Sequence, residues 1–147
     1  MKKTILLGLL VLTSFFSVQA QNTLSQAKAE ARATQKFILL NFSGSDWCVP
    51  CIQMEKEIFE KEAFQQFSQK SLVWLNADFP RGKKDQPAKE QAAENEALAE
   101  KYNAEGIFPL TLLLDGEGKV VKEWQGKPPV SAEQFVQQVQ AAMHARN

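Results

Sequence analysis

The chain has 147 residues, with 17 basic side chains set against 17 acidic ones and only two cysteines. A charge balanced in this way offers no basic surface of the kind that binds nucleic acid or an anionic membrane, so neither is an expected partner. The length suits one domain built on one core.

Lys2 and Lys3 precede an apolar run from Ile5 to Val11 that continues through Phe15 and Phe16 and closes on Val18-Gln19-Ala20. Charge, apolar stretch and small residues in that order form an export signal, with cleavage expected after Ala20. The run falls short of the roughly 20 apolar residues that a membrane span needs. Thr13, Ser14 and Ser17 also interrupt it, so no stable membrane insertion is expected. Residues 1–20 are thus read as a cleaved signal peptide, and 21–147 as a single domain that is periplasmic or secreted. Such compartments are oxidising, and thiols there tend to pair.

Residues 23 to 35 are rich in Ala, Lys, Glu and Gln and read as an amphipathic packing helix. Phe37 to Ser43 follows as a buried strand. Then comes Asp46-Trp47-Cys48-Val49-Pro50-Cys51, followed by Ile52, Met54, Glu55, Ile58 and Phe59 at helical spacing. Both cysteines therefore lie where a strand ends and a helix begins. A thiol there meets unpaired backbone N–H groups and the positive end of the helix dipole, which favour the thiolate. The thiolate is the nucleophile of disulfide exchange. A bridge at C-x-x-C spacing closes almost no loop, so it adds little as a structural staple. Zinc would need four ligands, and His144 is the only histidine. Haem attachment would need a histidine directly after Cys51, where Ile52 stands.

A second helical piece at 62–69 places Phe64 and Phe67 on one side. Leu72 to Ala77 reads as a strand covered on both faces. The stretch from Phe79 to Pro87 is bounded by prolines and locally basic. It is expected to be an exposed loop, more in keeping with a solvated insertion than with a docking element. A helix from Ala88 to Tyr102 buries Ala92, Leu98, Ala99 and Tyr102. Pro109 must stand at the start of the apolar strand that follows it, because it cannot donate within a ladder. Asp115 to Gly118 has hairpin composition and leads into a strand at 119–124. Ser131 and Gln134 form a capping box that opens a last helix, with Phe135, Val136, Val139 and Met143 inward.

Trp-Cys-x-Pro-Cys after a buried strand, with Ser43-Gly44-Ser45-Asp46 ahead of it, resembles the active site of the thioredoxin superfamily. The resemblance is to its exported bacterial branch of thioredoxin-like disulfide oxidoreductases, and it covers roughly residues 25 to 145. It implies an α/β, thioredoxin-like fold: a central mixed β-sheet flanked by helices, with an extra N-terminal helix. The expected activity is reduction or isomerisation of disulfides in periplasmic proteins through a Cys48/Cys51 dithiol, and by the same resemblance Cys48 is the nucleophile and Cys51 the resolving cysteine. Pro109 is then a cis-proline facing them. Trp47, Phe108, Pro109 and Gly126 form the substrate-binding rim, with the Phe108 backbone pairing an extended substrate segment. No cofactor is implied beyond the Cys48–Cys51 disulfide itself. The expected partners are disulfide-bearing proteins and, because a reducing couple in an oxidising compartment must be fed electrons, a membrane-bound thiol reductant; the chain is expected to be a monomer.

One position departs from the family. Thioredoxins carry a buried acid on the strand before the motif. Counting back from Trp47, with one extra residue allowed in the loop, that place falls on Asn41, which cannot exchange a proton near neutral pH. Water, Asp46 or Glu55 is left to serve instead. Between the cysteines, Val49-Pro50 adds no side-chain donor, and Asp46 opposes the thiolate. The couple is therefore expected on the reducing side, at roughly −270 to −200 mV. The alternative reading is a non-enzymatic module of the same fold that keeps its cysteines oxidised, since fold does not fix function.

Overall fold

The most continuously apolar stretches of the sequence become the inner strands of a four-stranded sheet. In the computed structural model, which describes residues 23–145, these are β1 (Phe37–Ser43) and β3 (Leu110–Leu114). All of β3 and all of β1 except Phe37 is buried. The strand order is β2-β1-β3-β4, with β2 at Leu72–Asp78 and β4 at Val120–Gln125. β2 runs parallel to β1, so a crossover must join them. That crossover is α2 (Val49–Met54), a π-helical segment (Glu55–Phe59) and α3 (Glu62–Ser71). The β1–β3 and β3–β4 pairs are antiparallel. α1 (Leu24–Thr34), α4 (Lys89–Tyr102) and α5 (Ala132–His144) complete the layers. The mixed sheet, its flanking helices and the extra N-terminal helix are those expected. The predicted leader at 1–20 lies outside the described residues.

Alternation along β1 sorts its side chains onto two faces. Ile38, Leu40 and Phe42 join Ala27, Ala31 and Leu98 from α1 and α4. Leu39 joins Met54, Ile58, Phe59, Phe64, Phe135 and Val139 from the crossover and α5. The N-termini of α1 and α5 both carry a capping box. Thr23 and Ser131 each accept from the backbone N–H three residues on, and Gln26 and Gln134 reach back.

Three details differ from the sequence reading. β2 is an edge strand, so Asn76 is exposed and Trp74 only half-buried, rather than covered on both faces. On α4 the buried stripe includes Asn95, while Ala92, Ala99 and Tyr102 are only half-buried. The helix after the motif also changes pitch, since the Glu60 N–H donates to the Glu55 carbonyl at 2.8 Å, five residues back. Such π turns occur mostly as single insertions within α-helices.

Phe135 is fully buried, with its ring centroid 5.2 Å from Trp124, 6.1 Å from Phe59 and 6.2 Å from Phe64. Truncating it leaves a void that three rings cannot fill together. Phe135→Ala is expected to lower unfolding free energy by about 3–5 kcal/mol, read from a denaturant midpoint at unchanged slope.

Candidate functional site

The parallel strands β1 and β2 end together, with Ser43 opposite Asp78. The chain leaves β1 through a tight turn in which the Cys48 N–H donates to the Gly44 carbonyl at 2.9 Å. Gly44 is required there, because a Cβ would lie inside the Trp47 indole. Cys48 becomes the N-cap of α2, with Pro50 in the first turn, where a missing N–H costs nothing. The Cys51 N–H points at Cys48 Sγ at 3.3 Å. The two cysteines are joined in a disulfide, their Cα atoms 5.2 Å apart. Both are buried, Cys48 at 5% exposure and Cys51 at 3%, so they differ in access by a narrow margin.

Trp47, Phe108, Pro109 and Gly126, the residues expected to form a rim, come from three connections: β1 to α2, α4 to β3 and β4 to α5. Trp47 meets Phe108 edge-on, with centroids 5.4 Å apart. The Phe108–Pro109 peptide is cis, as the resemblance implies. The Pro109 carbonyl accepts from the Gly126 N–H at 2.8 Å. Gly126 adopts φ +71, and a Cβ added to it would meet no atom within 4 Å, so backbone conformation alone calls for glycine there.

The loop after β2 is not a free insertion. The Asp46 carboxylate accepts the backbone N–H groups of Arg81, at 2.9 and 3.1 Å, and of Gly82. Trp47 Nε1 donates to the Phe79 carbonyl at 2.7 Å. The Arg81 guanidinium sits 4.0 Å from the Trp47 ring centroid. Ser45 donates to Asp78 through both its N–H and its hydroxyl. Asn95 supports this corner from α4 by donating to the Asp78 carbonyl at 2.8 Å. Asn95 stands three residues before Leu98, so helical spacing placed it on the buried stripe. No spacing rule pointed to Arg81 or Asp78.

Asn41 is buried at 2% exposure and spent on a polar chain. It donates to Asn76 at 2.9 Å and accepts from the Thr111 hydroxyl at 2.9 Å. Beside Cys51 lies a cavity of about 310 Å³ lined also by Ser43, Asn76, Lys56, Glu60 and Glu55. Burial raises the Glu55 pKa, and the charges of Glu60 and Asp78 raise it further. The Asp46 pKa is lowered, first by the Arg81 N–H and then by that of Gly82. Among the described residues no cluster of His, Cys, Asp and Glu could hold a metal ion. Nor is any described helix long and apolar enough to cross a membrane.

Because its folded pKa is depressed, Asp46 holds the loop fully above the ordinary aspartate range and lets go as pH falls through the lowered value. Asp46→Ala is expected to free the loop and speed tryptic cleavage after Arg81, Lys83 and Lys84, without moving cleavage elsewhere. Unchanged cleavage in the loop would show that Asp46 does not anchor it.

The chain matches the thioredoxin-like domain family over residues 24–142. It is 34% identical over 122 residues to the disulfide bond reductase DsbH of Chlamydia pneumoniae, spanning 83% of this chain and 71% of that protein. A solved structure of a DsbH oxidoreductase superposes with a TM-score of 0.76 at 30% identity, over 85% of this chain and 84% of that one. A thioredoxin from Thermus thermophilus shares the fold, with a TM-score of 0.58 at 18% identity over 81% and 82% of the two chains. With its Cys48–Cys51 disulfide at the head of α2 and this likeness along most of its length, the chain belongs to the thioredoxin-like family and is a thiol–disulfide oxidoreductase.

Proposed function

We propose that the chain reduces disulfides in exported proteins, with Cys48 as nucleophile and Cys51 as resolving thiol. The observation that carries this reading is the bonded pair at the head of α2, framed by Trp47, Phe108 and the cis Pro109. In the reduced protein the Cys48 thiolate attacks one sulfur of the substrate disulfide and expels the other as a thiolate. Cys51 then loses its proton and attacks Cys48, releasing the second substrate thiol. Two electrons pass to the substrate, its two sulfurs are protonated by the Cys51 proton and by one taken up from water, and the Cys48–Cys51 disulfide re-forms. A thiol reductant must then return two electrons, and a membrane-bound donor suits a protein in an oxidising compartment. The leader-like N-terminus and the likeness to a disulfide bond reductase support that placement. Val49-Pro50 supports the reducing direction, since neither side chain stabilises the thiolate.

Equilibration against glutathione tests the direction. The couple is expected at roughly −270 to −200 mV, whereas a value near about −120 mV would make the protein a disulfide donor.

Glu55 takes the place of the missing buried acid. Asn41 is closed off in its own hydrogen bonds, while Glu55 shares a cavity with Cys51 that is wide and polar enough for water to bridge them. The carboxylate is the form that accepts the Cys51 proton. Resolution in the wild type should therefore quicken as pH rises through the elevated Glu55 pKa. In Glu55→Gln that step is expected to vanish. Its mixed disulfide should persist about 100-fold longer or more, approaching the accumulation expected when Cys51→Ser removes the resolving thiol altogether. Quenched-flow trapping of the mixed disulfide measures both, and a wild-type pH profile in the Gln variant would exclude Glu55.

A further inference from the structure

The loop between β2 and α4 carries Arg81, Lys83 and Lys84 against one acid, Asp85. It is bound to the redox motif at two successive residues, Asp46 through the Arg81 and Gly82 N–H groups and Trp47 through the Phe79 carbonyl, while Ser45 holds Asp78 at the end of β2 just before it. Within the loop, Gln86 donates to the Pro80 carbonyl at 2.6 Å, and the Asp85 N–H donates to the Gly82 carbonyl at 3.1 Å. A segment held at this many points presents its charges from fixed places.

Those charges are available. The ion pairs among the described residues are Arg32–Glu117 and Lys127–Glu57, and neither involves the loop. Arg81, Lys83 and Lys84 are exposed. The acids beside these cations are Asp46, whose oxygens accept the Arg81 and Gly82 N–H groups, Asp78, whose oxygens accept from Ser45, and Asp85, and none of them forms an ion pair with Arg81, Lys83 or Lys84. The Arg81 guanidinium carbon sits 4.0 Å from the ring centroid of Trp47, the residue next to Cys48, so its positive charge stands close to the motif. The chain as a whole is neutral, which makes this a local feature and not a reflection of overall charge.

From this geometry we infer that the Arg81–Lys84 loop is a specificity element that recruits disulfides flanked by acidic polypeptide segments. The inference rests on the reductase reading and names the substrate class it works on. An incoming acidic segment meets Arg81 over Trp47 and then Lys83 and Lys84 beyond it. Rim charges of this kind act mainly on association rate and on salt dependence.

The test uses the pre-reduced protein in single turnover with three peptides that share one disulfide and differ only in flanking residues: acidic, neutral or basic. The acidic peptide is expected to react about 3- to 10-fold faster than the basic one at low ionic strength. The preference should collapse in about 1 M salt, where the screening length is about 3 Å. Lys83→Gln with Lys84→Gln should slow the acidic peptide more than the neutral one, and adding Arg81→Gln should erase the remaining preference. Arg81→Lys, which keeps the charge, should retain most of it. Equal rates for the three peptides overturn the inference while leaving the reductase reading intact, as do variants that slow all three peptides alike. Failure to reduce any of them overturns both.

Discussion

Everything polar in the site hangs from one constraint, the common end of the parallel strands β1 and β2. Ser43 and Asp78 are paired there, and the Phe79 N–H donates to the Ser43 carbonyl at 2.8 Å. Two chain segments, one heading into the motif and one into the basic loop, therefore leave the sheet side by side. Parallel pairing makes this unavoidable, because both strands point the same way and release their successors at the same edge. The cysteines sit at that edge because a strand stops and a helix starts there. The loop sits beside them because β2 stops there as well.

The aromatic cluster follows from the same edge. Trp47, Phe108 and Phe79 come from three different connections, and each meets its neighbour edge-on at 5.4 to 5.6 Å. None belongs to the buried core proper, since all three are only half-buried. Trp47 is the member of this cluster next to Cys48, and Phe108 and Phe79 continue it away from the motif.

Most of the fold was legible because it is written in short-range terms. Short, nearly continuous apolar runs gave the strands, the Ser131–Gln134 capping box gave the start of α5, and the strand–motif–helix junction located the cysteines. What escaped the sequence was long-range. That β2 is an edge strand depends on where β3 inserts, which no local pattern of residues 72–78 encodes. The same holds for the loop. Phe79 to Pro87 has the composition of a solvated insertion, and its attachment depends on an aspartate 35 residues away. Asp46 likewise looks like a free acid in sequence, and its partners are backbone N–H groups that no side-chain pattern reports.

This last point changes the electrostatics of the motif. Taken alone, an aspartate two residues before Cys48 opposes a thiolate there. In the folded chain its negative charge is met by two backbone donors and faced by the Arg81 guanidinium across Trp47. Its carboxylate fixes the backbone that carries Arg81, so Asp46 is less a repulsive charge on Cys48 than the post to which a positive one is tied. The proton side of the chemistry shows the same division of labour. Where the family keeps an acid within the sheet, this chain has Asn41, locked by Asn76 and Thr111. The ionisable group instead stands at the cavity wall, on Glu55, where the helix changes to π pitch. A carboxyl there keeps contact with water, so it is spared the full desolvation cost of a charge inside the sheet, while burial still raises its pKa above the ordinary glutamate range. On the proposed reading, the cost of moving the acid outward is distance from the sulfur, and the cavity that Glu55 and Cys51 share has room for a bridging water.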